Sequence, residues 1–474
     1  MSRAGLVASA RRIAPLAWPV FVGQIAVLAF STVDTVMLAR ASALDLAALA
    51  VGSATYISVF VGLMGVVLAV GPIAGQHFGA GDPRGSGHVA RQAVWLALGL
   101  AAIGCAFLVF PEPFLALARA TPAVADKVRG YLLALAFALP PALVFTAYRG
   151  FNVAVSRPKA VMVLQIGALA LKVPLNALLV FGFELPTPFG PVRLAALGAP
   201  GCGVATAAIM WLQLLAAWVL VRRDPFYARF GLDRGGIGRP DRATLGPLLR
   251  LGVPMGLAIL IEVTGFTFMA LFISRIGATV VAGHQIAVNL VSLMFMLPLA
   301  IANASSTLVA QRVGAGDAVD ARRLGWAGLE IGVLIAAALG ATVYVLRAEI
   351  VGLYTANPVI VAAALPLLGW VAVFHVADAA QTISAFVLRA YRIATVPLVV
   401  YAVSLWGVGL AGGYVAAFGV VDFSPGWMHG AQGFWSMATV GVACAAFGMA
   451  AYLAAVLRRQ RRAPGARPAG ALAG

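Results

Sequence analysis

The chain has 474 residues, 62% of them hydrophobic and 10% charged, with a mean hydropathy of +0.97. A soluble domain carries about 25% charged residues, so this chain cannot cover a water-facing surface and reads as an integral membrane protein. Its net charge of +17 does not point to nucleic acid, because the charges lie in short stretches between apolar runs and form no single patch.

Arg3, Arg11 and Arg12 precede the first apolar run, and Ala41-Ser42-Ala43 resembles a cleavage site. The run is too long for a removable signal and carries Asp34, so it is read as the first span. Apolar segments follow one another at about 13–39, 46–72, 89–110, 127–149, 160–182 and 196–221. A polar linker, 222–247, contains Arg222, Arg223, Arg229 and Arg239 among others. Six more segments lie at about 248–274, 280–305, 322–346, 358–388, 396–419 and 434–458. A closed barrel would need alternating strands of about 10 residues, and these are absent. The expected fold is an all-α membrane protein, with twelve transmembrane helices in two pseudo-symmetric six-helix bundles around a central cleft. The expected parts are a lobe at 1–221, a cytoplasmic linker at 222–247, a second lobe at 248–458 and a disordered cytoplasmic tail at 459–474.

The two lobes are copies. Shifted by 235, Leu16 to Asp82 lies without a gap on Leu251 to Asp317. Pro19 falls on Pro254, Thr32 on Thr267, Arg40 on Arg275, Gln76 on Gln311, and Gly79-Ala80-Gly81-Asp82 on Gly314-Ala315-Gly316-Asp317. Internal duplication of this kind underlies many transporters. With the N-terminus placed in the cytoplasm, the inner side collects 25 basic residues and the outer side 7. The positive-inside rule then puts both termini in the cytoplasm.

Charge inside the apolar runs is the exception that needs a reason. Asp34, Glu262 and Asp378 each cost about 2.5–3.5 kcal/mol to insert, which makes them functional candidates. Counted from the cytoplasmic ends of their spans, Glu262 and Asp378 both lie about 16–21 Å deep. Two carboxylates at one level could hold a Na+ or share a proton, with Thr264, Thr267, Asn289, Asn303 and Gln381 near enough in sequence to add neutral oxygens. Asp34 lies in the first lobe, nearer the outer face, where Asn176 shares its level. Asp34 has no acidic counterpart in the second copy (Met269), and Glu262 has none in the first (Val27). Lys172 needs an acidic or carbonyl partner. His284 and His375 lie in or beside spans, and His284 reads as a satisfied structural histidine or, as the alternative, a proton relay. Phe266, Met294 and Phe374 are either core packing or a pliable wall for flat lipophilic cations. The substrate-binding candidates are therefore Asn176, Asn289, Phe266, Met294, Phe374 and Gln381.

Several classes are disfavoured. Cys105, Cys202 and Cys444 have no pair spacing, and no His/Cys cluster has metal-site spacing. No glycine run is followed by Lys-Ser/Thr, so ATP is not the expected energy source, and no cofactor is expected. No nucleophile and base are spaced as in an enzyme, and a receptor would need soluble domains. Nothing demands more than a monomer.

The residues also resemble a known family, the multidrug and toxic compound extrusion antiporters, in their NorM-like branch. The carrying motifs are PVFVGQIAVLAFSTVDTVMLAR (19–40), GQHFGAGD (75–82), KVPLNALLVFG (172–182), VPMGLAILIEV (253–263), AGHQIAVNLVSLMFMLPL (282–298) and DAAQTISAFVLRAY (378–391). They span both halves. The resemblance implies export of organic cations from a bacterial cytoplasmic membrane, driven by inward Na+ or H+. It makes Glu262 and Asp378 the cation-coupling carboxylates and the ligands for Na+ if sodium drives export. It makes Asp34 the first-lobe aspartate of protonation or substrate binding, with Asn176 its polar partner. Where several relatives have a tyrosine one turn before the tenth-span aspartate, this chain has Phe374, and the missing hydroxyl tilts the balance toward protons. A flippase for a lipid-linked precursor shares the overall fold and is the alternative within transport.

Overall fold

The computed structural model describes residues 3–118, 120–185, 192–233, 236–420 and 425–462. Most of the expected tail, from 463 onward, lies outside them, as does Arg234 of the linker. Among the described residues, twelve helices are long and apolar enough to cross a membrane. In order they are Ala4–Ala41, Ala43–Gly79, Pro83–Val109, Pro122–Ala154, Pro158–Phe181 and Ala199–Arg223 in the first copy. Arg242–Ile273, Ala278–Gly314, Ala318–Val345, Pro358–Ala390, Thr395–Ala417 and Ala431–Arg459 follow in the second. The helices outrun the apolar segments because helix formation continues past the last residue that lipid would tolerate. Phe183–Leu185 and Val192–Leu194 pair as an antiparallel ribbon after the fifth span.

Backbone detail repeats at the sequence interval. Gly81 and Gly316 take φ of 75° and 76°, the left-handed conformation that glycine adopts without cost. The Asp82 carboxylate then accepts the Gly85 N–H at 2.8 Å, and the Asp317 carboxylate accepts the Asp320 N–H at 3.0 Å. The motif GAGD is thus a helix stop followed at once by an N-cap. Short helices at Glu112–Ala118 and Arg347–Tyr354 again begin 235 positions apart, so the duplication continues beyond the stretch where sequence shows it.

By packing, the chain divides into two units. One comprises the described parts of Met1–Phe21, Gly75–Gly81 and Leu257–Gly474; the other is Val22–Ala74 with Asp82–Gly256. This division differs from the expected lobes. The start of the first span packs with the second copy, because Ile13, Leu16 and Ala17 share one core with Ile301, Val387 and Leu457. Arg12 donates to Asp320 at 2.9 Å, and Arg312 joins the same carboxylate at 3.0 Å.

Within that unit, the ends of the second and eighth spans cross. A Cβ on Gly79 would run into the Gln311 carbonyl, and one on Gly314 would run into the Gln76 carbonyl. The contact is reciprocal, each glycine clearing the other copy's glutamine backbone. Gln76 Nε2 also donates to the Ala390 carbonyl at 2.8 Å. On the ninth span, Gly325, Gly328 and Gly332 make room for Val387, Ser305 and Ile383. Close packing over small residues replaces the hydrophobic drive that lipid removes.

In the other unit the linker is folded onto its helices. Tyr227 and Phe230 are fully buried, and the Tyr227 hydroxyl donates to Asn152 Oδ1 at 2.7 Å. Gln92 donates to the Arg239 carbonyl at 2.9 Å and accepts the Asp241 N–H at 2.8 Å. Asp224 pairs with Arg157 and caps the turn Pro225–Phe230 through the Phe226 N–H at 2.9 Å. The Arg157 guanidinium, then the Phe226 amide, hold the Asp224 carboxyl below the usual carboxylate range. A lowered folded pKa stabilises above the unfolded value and is lost as pH falls through the folded one. The Tm gap between wild type and Asp224→Asn is therefore expected to be a few degrees near pH 7 and to close below about pH 4. Thermal melts across that range check it, and a gap independent of pH would place the stabilisation elsewhere.

Candidate functional site

In the unit that holds the second copy, four spans surround a small cavity. Glu262, Gly265, Phe266 and Met269 line it from the seventh span, and Phe374, Asp378 and Gln381 from the tenth. Leu405, Gly409 and Leu410 close it from the eleventh, and Phe434, Ala438 and Val442 from the twelfth. Gln381 donates through Nε2 to Asp378 Oδ1 at 2.9 Å, the i, i+3 spacing that puts two side chains on one helix face. The Gln381 Oε1 oxygen is buried with no protein partner. Two carboxylates and a free amide oxygen facing one space form a donor set for a small hard cation. The cavity holds about 40 Å³, room for an ion or a water but far below the 300–1,000 Å³ typical of a drug-sized pocket.

Aromatic rings form the outer wall. Phe374 meets Phe266 edge-on with centroids 5.9 Å apart and meets Trp435 at the same separation. The eleventh span is wound as a π-helix over Ala402–Ala411. That wider period brings Leu405 and its neighbours at i+4 and i+5 to one face, and such segments concentrate at functional sites. Trp406 on the same segment donates to the Ile261 carbonyl, next to Glu262, at 3.1 Å.

The remaining second-copy candidates lie elsewhere. Asn289 is exposed and accepts the Tyr354 hydroxyl at 2.8 Å, which engages the oxygen expected at the site. Met294 is buried in an apolar cluster with Met269, Leu290 and Trp435 and does not line the cavity. Thr264 and Thr267 turn their hydroxyls back on the helix, donating to the Leu260 and Val263 carbonyls. Asn303 donates to Leu299 in the same way. In a membrane helix a short polar side chain finds its own backbone first. His284 accepts from Trp435 Nε1 at 3.2 Å. His375 is fully buried with neither ring nitrogen bonded to protein.

The other unit carries a second polar cluster. Asp34, from the first span, accepts Asn176 Nδ2 at 2.7 Å and pairs with Lys172 Nζ at 2.9 Å, both through Oδ1. Lys172 also donates to Thr206 Oγ1 at 2.7 Å and lies 5.2 Å from the centre of the Phe30 ring. Lys172 and Asn176 stand one turn apart on the fifth span and are fully buried. The partner that Lys172 requires is thus Asp34, the sole acid inside the first copy's apolar runs. Arg389, one residue past the apolar segment 358–388, is buried within the tenth-span helix against Phe386.

Comparison with known proteins gives this architecture its relatives. The MatE family pattern matches residues 19–178 and again 254–415, starting at the same offset of 235 as the internal repeat. The chain belongs to the MatE family. MatE proteins are transporters, not enzymes, and this member is a multi-pass membrane protein. A probable multidrug resistance protein NorM of Aromatoleum aromaticum is 39% identical over 446 residues, 94% of this chain and 93% of that one. The multidrug resistance protein PmpM of Pseudomonas aeruginosa is 34% identical over 456 residues, 95% of this chain and 92% of that one. Among solved structures, the eukaryotic MATE transporter AtDTX14 superposes with a TM-score of 0.84 at 18% identity, over 97% of this chain and 98% of that one. The bent form of VcmN from Vibrio cholerae gives 0.82 at 17%, over 97% and 99%. At such identity the structures speak for the fold alone.

Proposed function

We propose that this MatE transporter exports cationic, amphipathic organic compounds from the bacterial cytoplasm in exchange for Na+ or H+, acting as a monomer with both termini cytoplasmic. The observation that carries the reading is the pair Glu262 and Asp378 on one aromatic-walled cavity. In its present size the cavity admits an ion and excludes a drug. An organic cation can reach the same carboxylates only when the four spans part. Exchange then follows from competition: the negative charge holds either the small ion or the large one, and alternating access places the two occupancies on opposite sides. The relatives named as multidrug resistance proteins support the export of drugs.

The flippase alternative favours a cationic cavity for a pyrophosphate. This cavity is lined by two carboxylates and no base, which supports the organic-cation reading.

Proteoliposomes preloaded with a fluorescent organic cation test the proposal, with Na+ and proton gradients imposed separately. Export under at least one gradient is expected, and export under neither would end the reading. Phe374→Tyr adds a hydroxyl to the cavity wall and is expected to lower the Na+ concentration for half-maximal export by several-fold. An unchanged Na+ dependence would show that the ring position contributes no oxygen.

A further inference from the structure

The Asp34 cluster has the form of an ammonium site that is already filled. A primary ammonium needs a carboxylate, a further acceptor and, on its remaining side, a π face or water. Asp34 supplies the carboxylate, Thr206 the hydroxyl and Phe30 the ring, and the ammonium they hold is Lys172. Asn176 donates to the same carboxylate oxygen. Thr206 is itself oriented, donating to the Cys202 carbonyl at 2.9 Å, so its lone pairs face Lys172. The lysine is fully buried and Asp34 nearly so.

We propose that Lys172 is a specificity-determining residue: its ammonium is the resident occupant of the Asp34 site, and an organic cation reaches Asp34 only by displacing it. This rests on the organic-cation reading above and deepens it. A lipophilic cation without N–H donors competes poorly against an ammonium bonded to both oxygens. Primary and secondary amines, which can reproduce both bonds, compete better. The lysine therefore sets a preference among cations and lowers apparent affinity for all of them, as any self-occupied site does.

The test is binding of ethidium, a fluorescent aromatic cation with primary amino groups, to the purified full-length protein. Lys172→Met keeps length and apolar bulk but removes the occupant. Ethidium is expected to bind about tenfold tighter, the factor by which a resident that holds the site nine-tenths of the time weakens a competitor. The gain should vanish when Asp34→Asn is added. Thr206→Val keeps the ion pair while loosening the lysine, and covers the case in which Lys172→Met does not fold. It is expected to tighten binding a few-fold, whereas a residue that merely contacts substrate or supports the fold would weaken it. Ethidium bound by wild type with no gain in either variant overturns this proposal alone, as does a gain that persists with Asp34→Asn. Ethidium bound by none of them overturns the organic-cation reading as well.

Discussion

Glu262→Gln and Asp378→Asn are each expected to reduce export to the leak of protein-free liposomes, while the protein still inserts and purifies at normal yield. The amides keep the shape of the cavity and remove the charge for which ion and substrate compete. Coupling energies between two ligands span about 1–3 kcal/mol, or 5–150-fold; losing the shared group places the effect at the upper end. Stability should move the other way. Each ionised carboxylate costs about 2.5–3.5 kcal/mol inside the membrane, and the amide avoids that cost, so Tm should hold or rise. Export and thermal melts on the same preparations separate the readings. A fall in Tm with full export would make the pair structural, and full export by both variants would remove their coupling role.

The second large effect concerns the crossing at Gly79 and Gly314. Gly79→Ala or Gly314→Ala drives a methyl into a backbone carbonyl, which cannot rotate away as a side chain can. Overpacking a core costs about 1–3 kcal/mol, and a clash with fixed backbone belongs at or above the top of that range. Each variant is expected to lose about 3 kcal/mol and to aggregate on size exclusion at temperatures the wild type tolerates. Gly99→Ala is the control, since nothing lies within 4 Å of its missing Cβ. There the better helix former is expected to leave Tm unchanged or raise it slightly. Equal melts for Gly79→Ala and Gly99→Ala would mean that the two span ends do not pack closely in the membrane.

What could be read from the sequence was whatever obeys a period or a depth. Among the described residues, twelve apolar runs give twelve helices long enough to span, because lipid allows little else. A rise of about 1.5 Å per residue puts Glu262 and Asp378 at one level, and they line one cavity. Other features depend on direction. Nothing in linear spacing says that Thr264 folds back on Leu260 while Gln381 reaches Asp378, or that Asn289 turns to Tyr354. Lys172 and Asp34 are 138 positions apart on helices whose rotation sequence does not fix. Arg389 stands just past the point where hydropathy ends, yet the helix carries it in as a buried group. The π-helical winding of the eleventh span also leaves no mark that apolar composition could reveal.

The crossing of Gly79 with Gln311 and of Gly314 with Gln76 also bears on how a duplicated chain diverges. Elsewhere the copies also differ: the position of Asp34 holds Met269 in the second copy, and that of Glu262 holds Val27 in the first. At the crossing each copy's backbone is the mould for the other, so neither glycine can acquire a side chain without the opposite strand of the duplication giving way. Mutation in one half is vetoed by the other. Gly79 and Gly314, each the first residue of the shared GAGD, are thus tied to one another while the two halves carry different chemistry.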